Sequence, residues 1–214
     1  MAARDGAGAI VLAAGSGSRF GGHKLLAELD GKPLLQHVLD AAAQARLEPV
    51  IVVMGADARR LEAAISWRAE LRVINAAPER GLSSSLQAGI EALEETAPTC
   101  RRALVLLADQ PRLRPAQVRA LLRAPPDPAR PIVAPRYEDG QPGSPVLLER
   151  EAWPLATLLE GDRGMSQLFE TRLELVRYVD VPGSNPDVDT VTDLAALSPS
   201  DAPQSRRRTK PILP

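Results

Sequence analysis

The sequence predicts an α/β fold, a mostly parallel sheet with helices on both faces, on the strength of two recurring patterns. Short apolar runs rich in Val, Ile and Leu return at 9–13, 50–54, 71–74, 103–107 and 131–134, with the length and β-branched content of buried strands. Between them, apolar residues repeat at helical spacing: Leu34, Leu35, Val38 and Leu39; Leu61 with Ile65; Leu86, Ile90 and Leu93; Val118 with Leu121 and Leu122. Strand and helix alternate, which places ligands beyond the carboxyl ends of the strands.

Each further property narrows this reading. With 214 residues, 44% hydrophobic and 25% charged, the chain has the composition of an ordinary globular protein, and one domain over 1–197 is expected. The proline-rich stretch 124–131 reads as a connector, and the basic, proline-rich 198–214 as a disordered tail. A net charge of −1 gives no field for a nucleic-acid duplex or an anionic membrane, so any anion must be held locally. A single cysteine, Cys100, excludes an intramolecular disulfide and multi-cysteine metal sites, and a reducing cytoplasm is the expected compartment. The opening residues lack the basic start and long apolar run of an export signal, and no stretch approaches the ~18 apolar residues of a membrane span.

The loop after the first predicted strand carries the first chemical signal. Gly15, Ser16, Gly17 and Ser18 have little bulk, so backbone N–H groups can converge on an anion, and Arg19 and Lys24 add charge suited to phosphate oxygens. The loop ends His23-Lys24-Leu25, which excludes a Walker loop, and Phe20 stands where a dinucleotide fingerprint needs its last glycine. The second signal is Asp109, at the end of the apolar run 103–107. On position alone it serves equally as a turn cap or as a hard oxygen ligand for Mg²⁺. Asn75, followed by Gly81 and the serines 83–85, adds donors near a helix start.

Several segments, in order, resemble one family. Residues 12–25, Leu-Ala-Ala-Gly-Ser-Gly-Ser-Arg-Phe-Gly-Gly-His-Lys-Leu, are similar to the signature loop of sugar-nucleotide and cofactor nucleotidyltransferases, above all the molybdenum cofactor cytidylyltransferases. Leu107-Ala108-Asp109-Gln110-Pro111 and Asp187-Val188-Asp189-Thr190 resemble that family's two acidic motifs, although Val191-Thr192-Asp193 replaces the usual Thr-Pro-Glu-Asp continuation. Gly140 to Val146 and Gly161-Asp162-Arg163-Gly164 resemble its acceptor-side segments, with Ser144 where relatives often carry histidine or asparagine.

The resemblance implies a single Rossmann-like domain and a division of labour. Leu12, Ala13, Ala14, Gly15, Ser16, Gly17, Ser18, Arg19 and Lys24 would wrap a nucleoside triphosphate, with Asn75, Gly81, Ser84 and Asp109 lining its pocket. Arg19, Lys24 and Asp109 would be catalytic. Mg²⁺, or Mn²⁺ in its place, would be held by Asp109 and Asp189, with Asp187 as the alternative, and the helix after them would be capped by Thr190 or Asp189. Gly143, Ser144, Pro145, Asp162 and Arg163 would meet the acceptor.

The implied reaction is transfer of CMP from CTP to the terminal phosphate of the molybdopterin cofactor, with a molybdoenzyme apoprotein as a further partner. Alternatives are another triphosphate such as GTP, a sugar-phosphate acceptor, a non-catalytic accessory protein, or a nicotinamide oxidoreductase. His23 is expected to be exposed, His37 to lie on a helix surface, Cys100 to be inert, and Trp67 and Trp153 to pack.

Overall fold

The computed structural model describes residues 6–15, 17–161 and 164–197. Ser16, Asp162, Arg163 and the tail 198–214 lie outside them. The chain runs β1 (Gly8–Ala13), a two-residue hairpin β2 (Glu28–Leu29) and β3 (Lys32–Pro33), α1 (Leu34–Ala45), β4 (Val50–Met54), α2 (Ala58–Ala64) and β5 (Leu71–Ile74). It continues α3 (Leu82–Thr96), β6 (Arg102–Leu107), α4 (Pro115–Leu122), β7 (Ile132–Arg136), β8 (Val146–Glu149), α5 (Gly164–Thr171), β9 (Val176–Asp180) and α6 (Val191–Leu197).

Seven strands form one sheet in the order β5-β4-β1-β6-β8-β7-β9. The β5-β4-β1-β6 half is parallel, while β8 runs antiparallel to both β6 and β7, and β9 returns parallel to β7. The two central parallel strands, β1 and β6, are buried over nearly their whole length, as their uninterrupted apolar runs require. Both faces are covered. Ala9, Val11 and Ala13 of β1 pack with Leu35, Val38 and Leu39 of α1 and with Val118 and Leu121 of α4. The alternate residues Ile10 and Leu12 pack with Leu86, Ile90 and Leu93 of α3 on the opposite face. Gly89 lets α3 lie close to the sheet, since a Cβ there would collide with Ile10 Cγ2.

The five strands and four helices read from periodicity are present, with edges moved by a residue or two. The sequence reading lacked β8 and β9. Val146–Glu149 is buried throughout, so it shows none of the alternation that marks a half-exposed strand. Trp153 is buried and donates from Nε1 to Leu148 O at 3.3 Å, and Trp67 is partly buried against the core on the α1 and α4 side of the sheet. Cys100 is buried. His37 departs from a plain surface position: it is half-buried and its Nε2 lies 2.7 Å from Leu29 O, tying α1 to the hairpin. Among the described residues no helix is long and apolar enough to cross a membrane.

On the outer side of α1, Asp40 accepts hydrogen bonds from Lys32 Nζ at 2.8 Å, Arg68 Nη2 at 2.6 Å and Gln36 Nε2 at 3.2 Å. Partial burial pushes its pKa up, but these donors outweigh it and hold the carboxyl at about 2, below its ordinary 3.8. A carboxylate depressed on folding stabilises the fold above its unfolded value and loses that contribution as pH falls through the folded one. Asp40→Asn is therefore expected to flatten the loss of stability between about pH 4 and about pH 2, by on the order of 1 kcal/mol after screening of the exposed partners. Urea unfolding across that range checks this; parallel curves for both proteins would refute it.

Candidate functional site

The site is built at the carboxyl ends of β1 and β6, where parallel strands stop and their loops separate. The chain leaves β1 at Ala13, turns at Gly17 (φ 59°) into a 3-10 turn at Ser18–Phe20, and passes Gly21, Gly22 and His23, all with positive φ, before Lys24. Gly17 is required twice over: its φ is left-handed, and a Cβ would stand 3.0 Å from Lys24 Cβ. A Cβ on Gly15, by contrast, would meet no protein atom, so its backbone faces open space.

That space is a cleft of about 770 Å³. Of the residues anticipated for nucleotide binding, Leu12, Ala13, Ala14, Gly15, Gly17, Ser18, Arg19, Lys24, Gly81 and Asp109 line it, and so do Asp187 and Asp189. Asn75 and Ser84 do not line it. Asn75 is buried and its Nδ2 donates to Ser84 Oγ at 2.8 Å and Ser85 Oγ at 3.0 Å, while Ser84 Oγ donates to Gly81 O and Ala77 O. These two residues brace the turn between β5 and α3 from behind, and Ser85 is the serine that reaches the cleft wall.

Across the cleft, cations of the first loop meet acids from distant parts of the chain. Lys24 Nζ donates to Asp109 Oδ2 at 2.6 Å and to Asp189 Oδ1 at 3.1 Å, and Arg19 Nη1 lies 3.0 Å from Asp189 Oδ2. Burial of Lys24 opposes its charge, but hydrogen bonds and the fields of both aspartates overcome this and raise its pKa. Asp109 sits just beyond β6. Asp189 is drawn to the same place because Val188 N donates to Asp109 O at 3.0 Å and the buried Val188 packs with Leu29 and Leu34.

The start of α6 is held by a reciprocal cap. Thr190 Oγ1 accepts from Asp193 N at 3.2 Å, and Asp193 Oδ2 accepts from Thr190 N at 2.7 Å and from Asp189 N at 3.1 Å. Thr190, rather than Asp189, is thus the capping residue, and Asp193 completes the box that a Glu or Gln usually supplies. The Asp189 carboxylate is left to face the cleft.

Asp187 is engaged differently: its Oδ1 accepts from Gln110 Nε2 at 2.7 Å. Burial of this carboxyl and then the charge of Asp109 push its pKa up. Gln110 Oε1 in turn accepts from Asn185 Nδ2 at 2.8 Å, and Asn185 Nδ2 also reaches Ser144 O at 3.2 Å, where the Tyr137 hydroxyl donates as well. Burial raises the Tyr137 pKa to about 12, so it remains a neutral donor. The segment Gly143-Ser144-Pro145 lies at the far end of this chain of bonds and not among the residues of the cleft wall. Asp162 and Arg163 fall outside the described residues. Sequence reasoning missed Asn185 and Tyr137, and among the serines 83–85 it singled out Ser84 where Ser85 reaches the wall; an asparagine just before Pro186-Asp187 was the one visible hint. His23 is exposed, 2.9 Å from Asp57 Oδ1 and 3.2 Å from Arg60 Nη1.

The donor chemistry of this cleft suits a divalent cation with a polyphosphate. Asp109 and Asp189 present hard oxygens that already converge on one cationic atom, Lys24 Nζ. Among the described residues no three acidic, histidine or cysteine side chains are grouped as a complete metal cage. A cation here would fill its shell with phosphate oxygens and water, as Mg²⁺ commonly does.

Comparison with known proteins agrees with this architecture. The model of the MobA-like NTP transferase domain matches residues 9–181, and the chain belongs to that family. Rv0371c of Mycobacterium tuberculosis H37Rv superimposes with a TM-score of 0.79 at 32% identity, covering 90% of this chain and 96% of that one. Its complex with manganese gives a TM-score of 0.76 at 30% identity, covering 91% and 99%. A nucleotidyl transferase from Methanothermobacter gives 0.74 at 25% identity, covering 89% and 94%. The bifunctional protein GlmU of Bordetella petrii is 37% identical over 117 residues, 54% of this chain but only 25% of GlmU.

Gly55, directly after β4, supports the loop from below: a Cβ there would stand 2.7 Å from Ala14 O and 3.2 Å from Ala14 Cβ. Because backbone cannot rotate away, Gly55→Ala is expected to destabilise the fold by ~1–3 kcal/mol, the usual cost of overpacking. Unchanged urea unfolding would show that the loop yields freely.

Proposed function

We propose that the protein transfers a nucleotidyl group from a nucleoside triphosphate, CTP foremost, to a terminal phosphate of an acceptor, the molybdopterin cofactor. The observation that carries this reading is the meeting of Arg19 and Lys24 with Asp109 and Asp189 at one end of a glycine-lined cleft. The loop Leu12-Ala13-Ala14-Gly15, whose alanines match the cytidylyl-transferring branch, supports CTP; membership of the MobA-like family supports transfer chemistry. The manganese complex of Rv0371c supports a divalent cation.

In this reaction an acceptor phosphate oxygen forms a bond to the α-phosphorus as the bond to the bridging oxygen breaks, and pyrophosphate leaves with that electron pair. The nucleophile is anionic near neutral pH, so no side chain need remove a proton. Binding and charge neutralisation are what remain for the protein. Backbone N–H groups of the loop through Gly15 and Gly17 hold phosphate oxygens, and Arg19 and Lys24 offset the charge that grows on the leaving pyrophosphate. Asp109 and Asp189 would hold Mg²⁺, which would supply polarisation of the phosphates. Asp189 fits better than Asp187, because it already shares a cation with Asp109 while Asp187 is bound by Gln110. The bonds from Gln110 through Asn185 to Ser144 fix the acceptor side relative to the acids. A reducing cytoplasm is the compartment this reading assumes.

Asp109→Asn is expected to abolish pyrophosphate release while leaving the thermal unfolding transition cooperative, since it removes a ligand charge at constant size. Near-normal turnover by that variant, with CTP, Mg²⁺ and molybdopterin supplied, would remove Asp109 from the mechanism. Lys24→Ala is expected to slow turnover by ~2–4 kcal/mol of lost transition-state stabilisation, as for other preorganised charges. A full set of four triphosphates in the same assay tests the preference for CTP, and an equal rate with GTP would reject it.

A further inference from the structure

The loop cations do more than line the cleft, because they occupy the acids. Both carboxylate oxygens of Asp189 and one of Asp109 are bonded by Arg19 or Lys24. The two contributions differ in weight. The side chains of Lys24 and Asp109 are only 13% and 23% exposed, so their attraction is weakly screened, whereas Arg19 is 75% exposed and its pair with Asp189 is worth little.

We infer that Lys24 is a built-in counter-ion which holds the place of the divalent cation, so that the cleft admits that cation with a polyphosphate and disfavours the free ion. A divalent cation between Asp109 and Asp189 would meet the ammonium at a few ångströms, and the like charges repel. The ammonium must therefore move, and it needs a new anion when it does. A free aqueous cation brings none. A polyphosphate brings several oxygens to the loop that carries Lys24 and Arg19, and so releases the acids as it binds. Coupling of this kind is reciprocal: the cation tightens the polyphosphate by the same factor. The inference rests on the proposed function for the placing of the cation between Asp109 and Asp189 and for the identity of the polyphosphate as a nucleoside triphosphate.

The test is binding of Mn²⁺ alone to the full-length chain, read from the loss of the free-ion electron paramagnetic resonance signal. Lys24→Met removes the ammonium and keeps most of the stem. It is expected to bind Mn²⁺ at least about tenfold more tightly than the unsubstituted protein, the ratio that ~1.4 kcal/mol represents. Its melting temperature should fall without Mn²⁺ and recover with it, while that of the unsubstituted protein hardly responds to Mn²⁺ alone. If Lys24→Met does not fold, Lys24→Gln, which removes the charge and keeps a hydrogen-bond donor for the two aspartates, takes its place and is likewise expected to tighten Mn²⁺. Equal or weaker Mn²⁺ binding by the folded variants would overturn the inference. Pyrophosphate release is measured in parallel: its absence from the unsubstituted protein with every triphosphate defeats the proposed function and leaves the Mn²⁺ comparison standing.

Discussion

The pairing of one lysine with two aspartates, 85 and 165 residues away in sequence, is the constraint on which the rest of the site depends. An ammonium can bridge two carboxylates only where the backbone brings all three to one place. The fold provides that by ending β1 and β6 side by side, in register from Gly8↔Ala103 to Leu12↔Leu107. The loop that carries Lys24 and the turn that carries Asp109 therefore leave the sheet as neighbours. Asp189 has no strand beneath it and reaches the same point through the Val188–Asp109 backbone bond and the cap of α6.

The cleft wall carries both signs, with Arg19 and Lys24 beside Glu79, Asp109, Asp187 and Asp189, so a phosphate there would meet two local cations already paired with acids. Among the described residues, the cleft wall holds neither histidine nor cysteine. In the proposed reaction a phosphate nucleophile would need alignment and neutralisation, which backbone N–H groups, two cations and a pair of carboxylates could supply without proton transfer.

A second set of bonds, from Asp187 through Gln110 and Asn185 to Ser144, joins the acids to the strand β8 that follows. Because β8 runs antiparallel to β6, its leading end lies near the trailing end of β6, which brings the segment before it close to Asp109 and Gln110. The antiparallel strand is thus more than a topological variation. It sets the distance between the side proposed to hold phosphates and the side proposed to hold the acceptor.

The parallel half of the sheet, its helices, and the residues Arg19, Lys24 and Asp109 were legible in the sequence, because each depends on chemistry confined to a short stretch. Apolar period decides strand or helix, glycines decide where the backbone can turn with positive φ, and an acid after a buried strand emerges where ligands bind. The choice of Asp189 over Asp187 as partner of Lys24, the inward turn of Asn75 and Ser84, the demand for glycine at 55, and the role of Asn185 were decided only by tertiary structure. Each is a contact between residues far apart in the chain, or a direction taken by a side chain among neighbours such as Asp187 and Asp189 that local pattern treats alike. The physical reason is that hydrogen bonds and ion pairs act over about 3 Å in space, and nothing in the order of residues measures that distance until the backbone has folded.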